Sequence, residues 1–196
     1  MHLKAIDTVY KGHRFRSRLE ARWAVFFNSL GLPYEYEKEG FDLDGILYLP
    51  DFWMPSLDIY VEIKGSALTK LDERKIEALA EASDKECLVL IGQIGPPDTG
   101  YSVPYECRMY SWYPVDPAAE DAELHSCNYD FPYMWCECVI CGKIGAEFDG
   151  RSGRICNHPN GYEKNYTADS PRLMAAYRAA MGARFEHGES GAAKGL

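Results

Sequence analysis

The chain predicts an α/β fold: a mixed sheet in the order helix, three strands, helix, strand, followed by a small metal-binding module. Three observations predict it. Apolar residues recur at helical spacing between 17 and 30 and again between 70 and 83. Short alternating or apolar runs at 34–37, 46–54, 59–64 and 87–92 have strand lengths. Five of the seven cysteines fall between Cys127 and Cys156.

Each element has a local reason. Ser17 is placed to cap the first helix, with Glu20 three positions later completing a capping box. Leu19, Trp23, Phe26, Phe27 and Leu30 then share one helical face, and Gly31 stands where a capping glycine belongs. Tyr34 to Glu37 alternates aromatic and acidic residues, as a half-buried strand does. Residues 46–54, ILYLPDFWM, read as a second strand and 59–64, IYVEIK, as a third, with the turn PSLD between them. Lys70 to Ser83 reads as a helix with Leu71, Ile76 and Leu79 inward. CLVLIG, residues 87–92, suits a strand buried on both faces.

Composition narrows the function classes. The formal net charge is −9 and the pI about 5.1, which speaks against a nonspecific nucleic-acid coat protein. Basic residues are concentrated early: Lys4, Lys11, Arg14, Arg16, Arg18 and Arg22 face only Asp7 and Glu20. No apolar run approaches the roughly 20 residues of a membrane span, and the N-terminus lacks an apolar signal segment. A soluble cytoplasmic protein without a membrane partner is expected; monomer and homodimer both fit. Domain boundaries are expected at 1–113 for the core, 114–134 for a proline-rich acidic linker or irregular wrap, 135–188 for the cysteine module with a last helix, and 189–196 for a flexible tail.

The third strand carries the chemistry. Glu62 and Lys64 are two apart, so they share one face, while Val61 and Ile63 point oppositely into the core. Asp51 follows Pro50 on the preceding strand, and a hairpin sets it opposite Glu62 and Lys64. Glu20 can join from the helix. Hard carboxylate oxygens hold divalent cations, and a lysine beside them neutralises phosphate charge.

Pro50-Asp51 with Glu62-Ile63-Lys64, preceded by a helical Glu20, resembles the signature of the PD-(D/E)XK nuclease superfamily. The likeness covers residues 10–92 and is similar in layout to phage junction-resolving endonucleases and transposon end-cutting nucleases. It implies a restriction-endonuclease-like core that hydrolyses DNA phosphodiester bonds with Mg²⁺ or Mn²⁺. Asp51 and Glu62 are then metal ligands, Glu20 an accessory ligand and Lys64 the catalytic lysine. Lys11, His13, Arg14, Arg16 and Arg18 are candidate DNA contacts, and phosphate contacts of this kind fix position without reading sequence. Lys70, Arg74 and Lys75 are further basic candidates. The alternatives are a catalytically silent nucleic-acid-binding zinc protein and a protein-interaction module, which the acidic charge would suit.

Cys138-Val-Ile-Cys141-Gly-Lys has zinc-knuckle spacing, and Cys156 and His158 follow. A structural zinc site from Cys138, Cys141, Cys156 and His158 is the first choice, with Cys136, Cys127 and His125 as substitutes. Residues 144–155 are expected to form a short hairpin, as in a zinc ribbon. Ser170 and Pro171 open a final helix to about His187. Its expected apolar face is Met174, Tyr177 and Met181, with Arg172, Arg178 and Arg184 available to DNA or a partner.

Overall fold

Helix α1 (Arg18–Leu30) starts and stops where the sequence places it, in a computed structural model that describes residues 7–97, 104–113, 123–127, 133–148, 155, 156, 158 and 165–185. Ser17 Oγ accepts the Glu20 N–H at 3.1 Å. The returning half of the capping box is altered, because Glu20 Oε2 accepts the Arg16 N–H at 3.1 Å. Gly31 ends the helix at φ +71°, a left-handed conformation that side chains with a Cβ rarely adopt. Before the helix, β1 (Thr8–Tyr10) and β2 (His13–Phe15) form a small hairpin.

The strand expected over 46–54 is two strands in two sheets. Segment β5 (Ile46–Tyr48) pairs back on β4 (Phe41–Leu43), whereas β6 (Phe52–Met54) pairs with β3 (Glu35–Tyr36) and with β7 (Ile59–Lys64). Pro50 is the physical reason: it has no N–H to offer a ladder, so pairing stops there and the chain bends at Asp51. Helix α2 (Lys70–Ser83) crosses from β7 to a parallel neighbour, β8 (Glu86–Gly92). Parallel pairing requires such a crossover. Strand β9 (Tyr105–Tyr113) follows antiparallel.

The large sheet runs β10-β9-β8-β7-β6-β3. Its edge strand β10 (Glu123–Cys127) lies in the stretch expected to be linker. The rest of that stretch up to residue 132, and the tail 189–196, lie outside the described residues.

Of the zinc-ribbon hairpin expected over 144–155, residues 149–154 lie outside the described residues. Strand β12 (Ile144–Phe148) pairs with β11 (Tyr133–Cys138), which precedes it, and the cysteine knuckle is their turn. Strand β13 (Tyr166–Thr167) closes the sheet on the other side of β11. Helix α3 (Pro171–Gly182) buries Leu173, Ala176, Tyr177 and Ala180. Met181, expected inward, is 42% exposed.

Side-chain alternation along β7 feeds two cores. Val61 and Ile63 join Phe52, Leu88 and Leu90 against α1, α3 and β11. Tyr60 joins Val89, Ile91 and the Ile76–Leu79 stripe of α2. The first core crosses the expected boundary between nuclease core and cysteine module. Phe27 lies 5.4 Å from Trp135 of β11 and Phe26 lies 4.6 Å from Tyr177 of α3, centroid to centroid. Tyr105 and Tyr177 share a buried hydrogen bond at 2.7 Å.

Removing the Trp135 side chain therefore takes mass from the common core. Trp135→Ala should lower stability by about 3–5 kcal/mol. Urea unfolding followed by hydrogen exchange is the check. Loss of protection confined to β11–α3, with α1 and β7 untouched, would contradict a shared core.

Candidate functional site

The register Phe52↔Val61 continues by one step to set Asp51 beside Glu62. The two carboxylates are joined through backbone: Asp51 Oδ2 accepts the Ile63 N–H at 2.8 Å, and Glu62 Oε2 accepts the Asp51 N–H at 3.3 Å. Each is only 7% exposed. Lys64 Nζ lies 3.0 Å from Glu62 Oε1 and 3.1 Å from Asp72 Oδ1. All but Asp72 line a cavity of about 830 Å³ with Glu20, Arg16 and Tyr48. Three of the four expected catalytic residues thus meet at one point, and the fourth borders the same space.

Glu20 is differently employed. Its Oε1 accepts the Ser17 hydroxyl at 2.6 Å, and its Oε2 accepts the Tyr36 hydroxyl at 2.6 Å and the Arg16 N–H. It contributes negative charge to Asp51 while its oxygens are tied to the helix entrance. Asp72 and Tyr48 are site residues the sequence reading missed. Thr69-x-x-Asp72 is a legible capping box, and both halves form. Nothing in its spacing shows that Asp72 also reaches Lys64. Tyr48 lies against Glu62, and burial together with that charge pushes its hydroxyl far above the ordinary tyrosine range.

The electrostatics follow from burial. Asp51 is driven well above the usual carboxylate range by desolvation, then by the charges of Glu62 and Glu20; the Ile63 N–H and Lys64 oppose this incompletely. At Lys64 burial presses the pKa down, but Glu62 and then Asp72 outweigh it, so the ammonium is favoured. Burial raises Asp72 less than its Thr69 hydrogen bonds and Lys64 lower it, and it settles at about 2.

The expected DNA contacts scatter. Arg16 alone lines the acidic cavity, where its Nε pairs with Glu37 at 2.5 Å. Lys11 donates to Asn28 Oδ1 at 3.3 Å, Arg14 pairs with Asp7, and His13 is exposed beside Phe15. Arg18 borders a separate cleft. Of the secondary candidates, Lys75 lines the acidic cavity. Arg172 is a structural cross-link, donating to Glu137, to the Gly142 carbonyl and to the Leu30 carbonyl.

The second site assembles as expected. The ligand atoms of Cys138, Cys141, Cys156 and His158 lie within 4.8 Å of one another, a group that can hold a metal ion such as zinc. Sulfurs about 2.3 Å from a tetrahedral ion stand about 3.8 Å apart, so the spacing fits. His158 Nδ1 faces Cys156 Sγ at 3.1 Å and Cys138 Sγ at 3.6 Å. Gly142, at φ +70°, makes the knuckle turn. At Cys156 burial opposes the thiolate, but the Tyr166 hydroxyl and then His158 favour it, lowering its pKa to about 6. Cys136 is buried in the same small core and is not one of the four; the side chains of His125 and Cys127 lie outside the description.

No family model, curated protein or solved structure matches the chain.

Two outcomes follow from these sites. A carboxyl whose folded pKa is raised binds more protons folded than unfolded, so its contribution to stability falls as pH rises through the window between the two values. Asp51→Asn removes that penalty. It should stabilise the protein at neutral pH by on the order of 1 kcal/mol without added divalent cation. The gain should shrink toward pH 4, and a destabilised variant at pH 7 would contradict the buried-repulsion account. For the cluster, elemental analysis of purified protein should find about one zinc per chain. Cys141→Ser should lose it and loosen β11–β12, while metal-free protein with that hairpin fully ordered would remove the metal role.

Proposed function

We propose that this chain is a divalent-metal-dependent deoxyribonuclease of the PD-(D/E)XK type. The observation that carries the reading is the meeting of Asp51, at the bend before β6, with Glu62 and Lys64 of β7 at the wall of one cavity. Its order of helix, meander, crossover helix and parallel strand accords with the resemblance drawn from the sequence.

Buried carboxylates side by side are unfavourable without a cation. Asp51 and Glu62 provide hard oxygens, the set that suits Mg²⁺ or Mn²⁺, and they are the residues that would hold it. When bound, the cation supplies positive charge at the phosphate and acidifies a water.

The chain's own groups do the rest. Lys64, held as a cation between Glu62 and Asp72, offers an N–H donor where phosphate charge develops. Asp72 positions that lysine from the first turn of α2. Glu20 fixes the entrance of α1 through Ser17 and Tyr36 and keeps the cavity negative. Tyr48 covers Glu62 from the β4–β5 side and limits the access of water. The cysteine–histidine cluster stands apart from this chemistry, because four protein ligands leave a zinc no open position.

The test is a cleavage assay on plasmid, single-stranded and branched DNA with Mg²⁺, Mn²⁺, Ca²⁺ or EDTA. Cleavage is expected with the first two and not with the last two. Lys64→Ala should slow it by roughly a hundredfold or more, with the fold retained by circular dichroism. Wild-type rates in that variant, or in excess EDTA, would refute the assignment. Binding of the same DNAs without cleavage under every condition would instead mark a silent nucleic-acid-binding protein.

A further inference from the structure

Arg18 and Arg22 stand one turn apart on α1, about 200° around the helix from Glu20. Between them and the end of α3 opens a cleft of about 490 Å³, where Arg184, Met181 and Phe185 complete the wall. None of the three guanidinium groups has a carboxylate partner among the described residues, and Arg22 Nε is buried without a hydrogen-bond partner. This occurs in a chain with nine more acidic than basic charges.

Each of these features is unfavourable by itself. Like charges four apart on a helix repel. Arg18 is the first residue of α1, facing the positive end of the helix dipole, which favours anions. A buried donor without a partner is a loss that folded proteins rarely keep. Arg184, just past the C-terminus of α3, is accounted for by that helix's negative end. Arg18 and Arg22 have no such explanation. An anion between the three arginines offsets the repulsion between Arg18 and Arg22 and suits the positive end of α1. Phosphate is the anion that suits them, because the planar guanidinium fork matches its oxygens in pairs. Exposed Met181 gives an apolar edge for the carbon skeleton attached to it.

We propose that Arg18, Arg22 and Arg184 form a phosphate-binding site on the side of α1 away from the acidic cavity. Its ligand is a phosphate group, carried by a nucleic-acid backbone or free in solution. The site stands independently of the hydrolytic reading.

Two measurements on the full chain, both without divalent cation, test it. The first compares thermal stability in inorganic phosphate with that in chloride at equal ionic strength. The second follows a short labelled single strand and duplex by fluorescence anisotropy over a salt series. Arg22→Gln and Arg184→Gln are compared with Lys85→Gln, a charge-matched control that pairs with Asp58 on the surface. Circular dichroism reports folding, and exposed Arg184 keeps the test valid should Arg22→Gln fold poorly. Stabilisation specific to phosphate, lost in both arginine variants and kept in the control, is expected. If DNA binding also weakens by roughly tenfold or more, with a salt slope shallower by about one, the ligand is a backbone phosphate. If DNA binding is unchanged while the phosphate effect is lost, the ligand is a free phosphate group. The site is overturned if phosphate acts no differently from chloride and the arginine variants bind DNA as the wild type does. A loss equal to that in Lys85→Gln overturns it too, since net charge alone then explains it.

Discussion

Alternation along β7 sends Tyr60, Glu62 and Lys64 to one face of the sheet and Val61 and Ile63 to the other, and the rest of the structure is arranged around that split. The apolar pair anchors the strand beneath α1, α3 and β11. The opposite face must accommodate two charges inside a sheet, next to a second carboxylate from Asp51, at the bend just before β6. It does so where α2 begins, because Asp72 in the first turn gives Lys64 a second anion. The charged end of β7 is therefore tolerated by a helix cap, and the apolar middle by the aromatic face of α1. Moving the register of β7 by one residue would exchange the two sets and empty both cores.

Much of this was readable from residue order. Helix α1 is announced by Ser17, by its aromatic spacing and by Gly31, and the pairing of Glu62 with Lys64 needs only the period of a strand. The split of 46–54 was written in Pro50 but outweighed by the apolar residues on both sides. The contacts of Asp72, Tyr48 and Tyr36 were not legible, since each joins elements whose separation in space no local pattern encodes. Met181 shows the same limit. Helical spacing puts it on a face with Tyr177, but α1 covers that helix along Leu173, Ala176, Tyr177 and Ala180, one stripe over.

The cysteine ligands were legible because metal spacing is a local code, yet their place in the fold was not. The knuckle reads as the start of a separate ribbon. In the structure it is the turn of a hairpin whose first strand begins in the main core. Arg172 adds a second tie, joining the knuckle carbonyl of Gly142 to the last carbonyl of α1. A lysine there, a point charge without the guanidinium fork, could not hold three acceptors in that geometry.

Strand β11 carries Trp135 in the aromatic core and Cys138 in the ligand cluster only three residues later, a span of about 10 Å. Ion binding at the cluster and the order of β11 are for that reason coupled. When the ligands hold an ion, each tenfold rise in its free concentration above the dissociation constant adds about 1.4 kcal/mol to the stability of everything β11 touches. Zinc supply and thiol oxidation then enter the persistence of the acidic cavity without any group of that cavity changing.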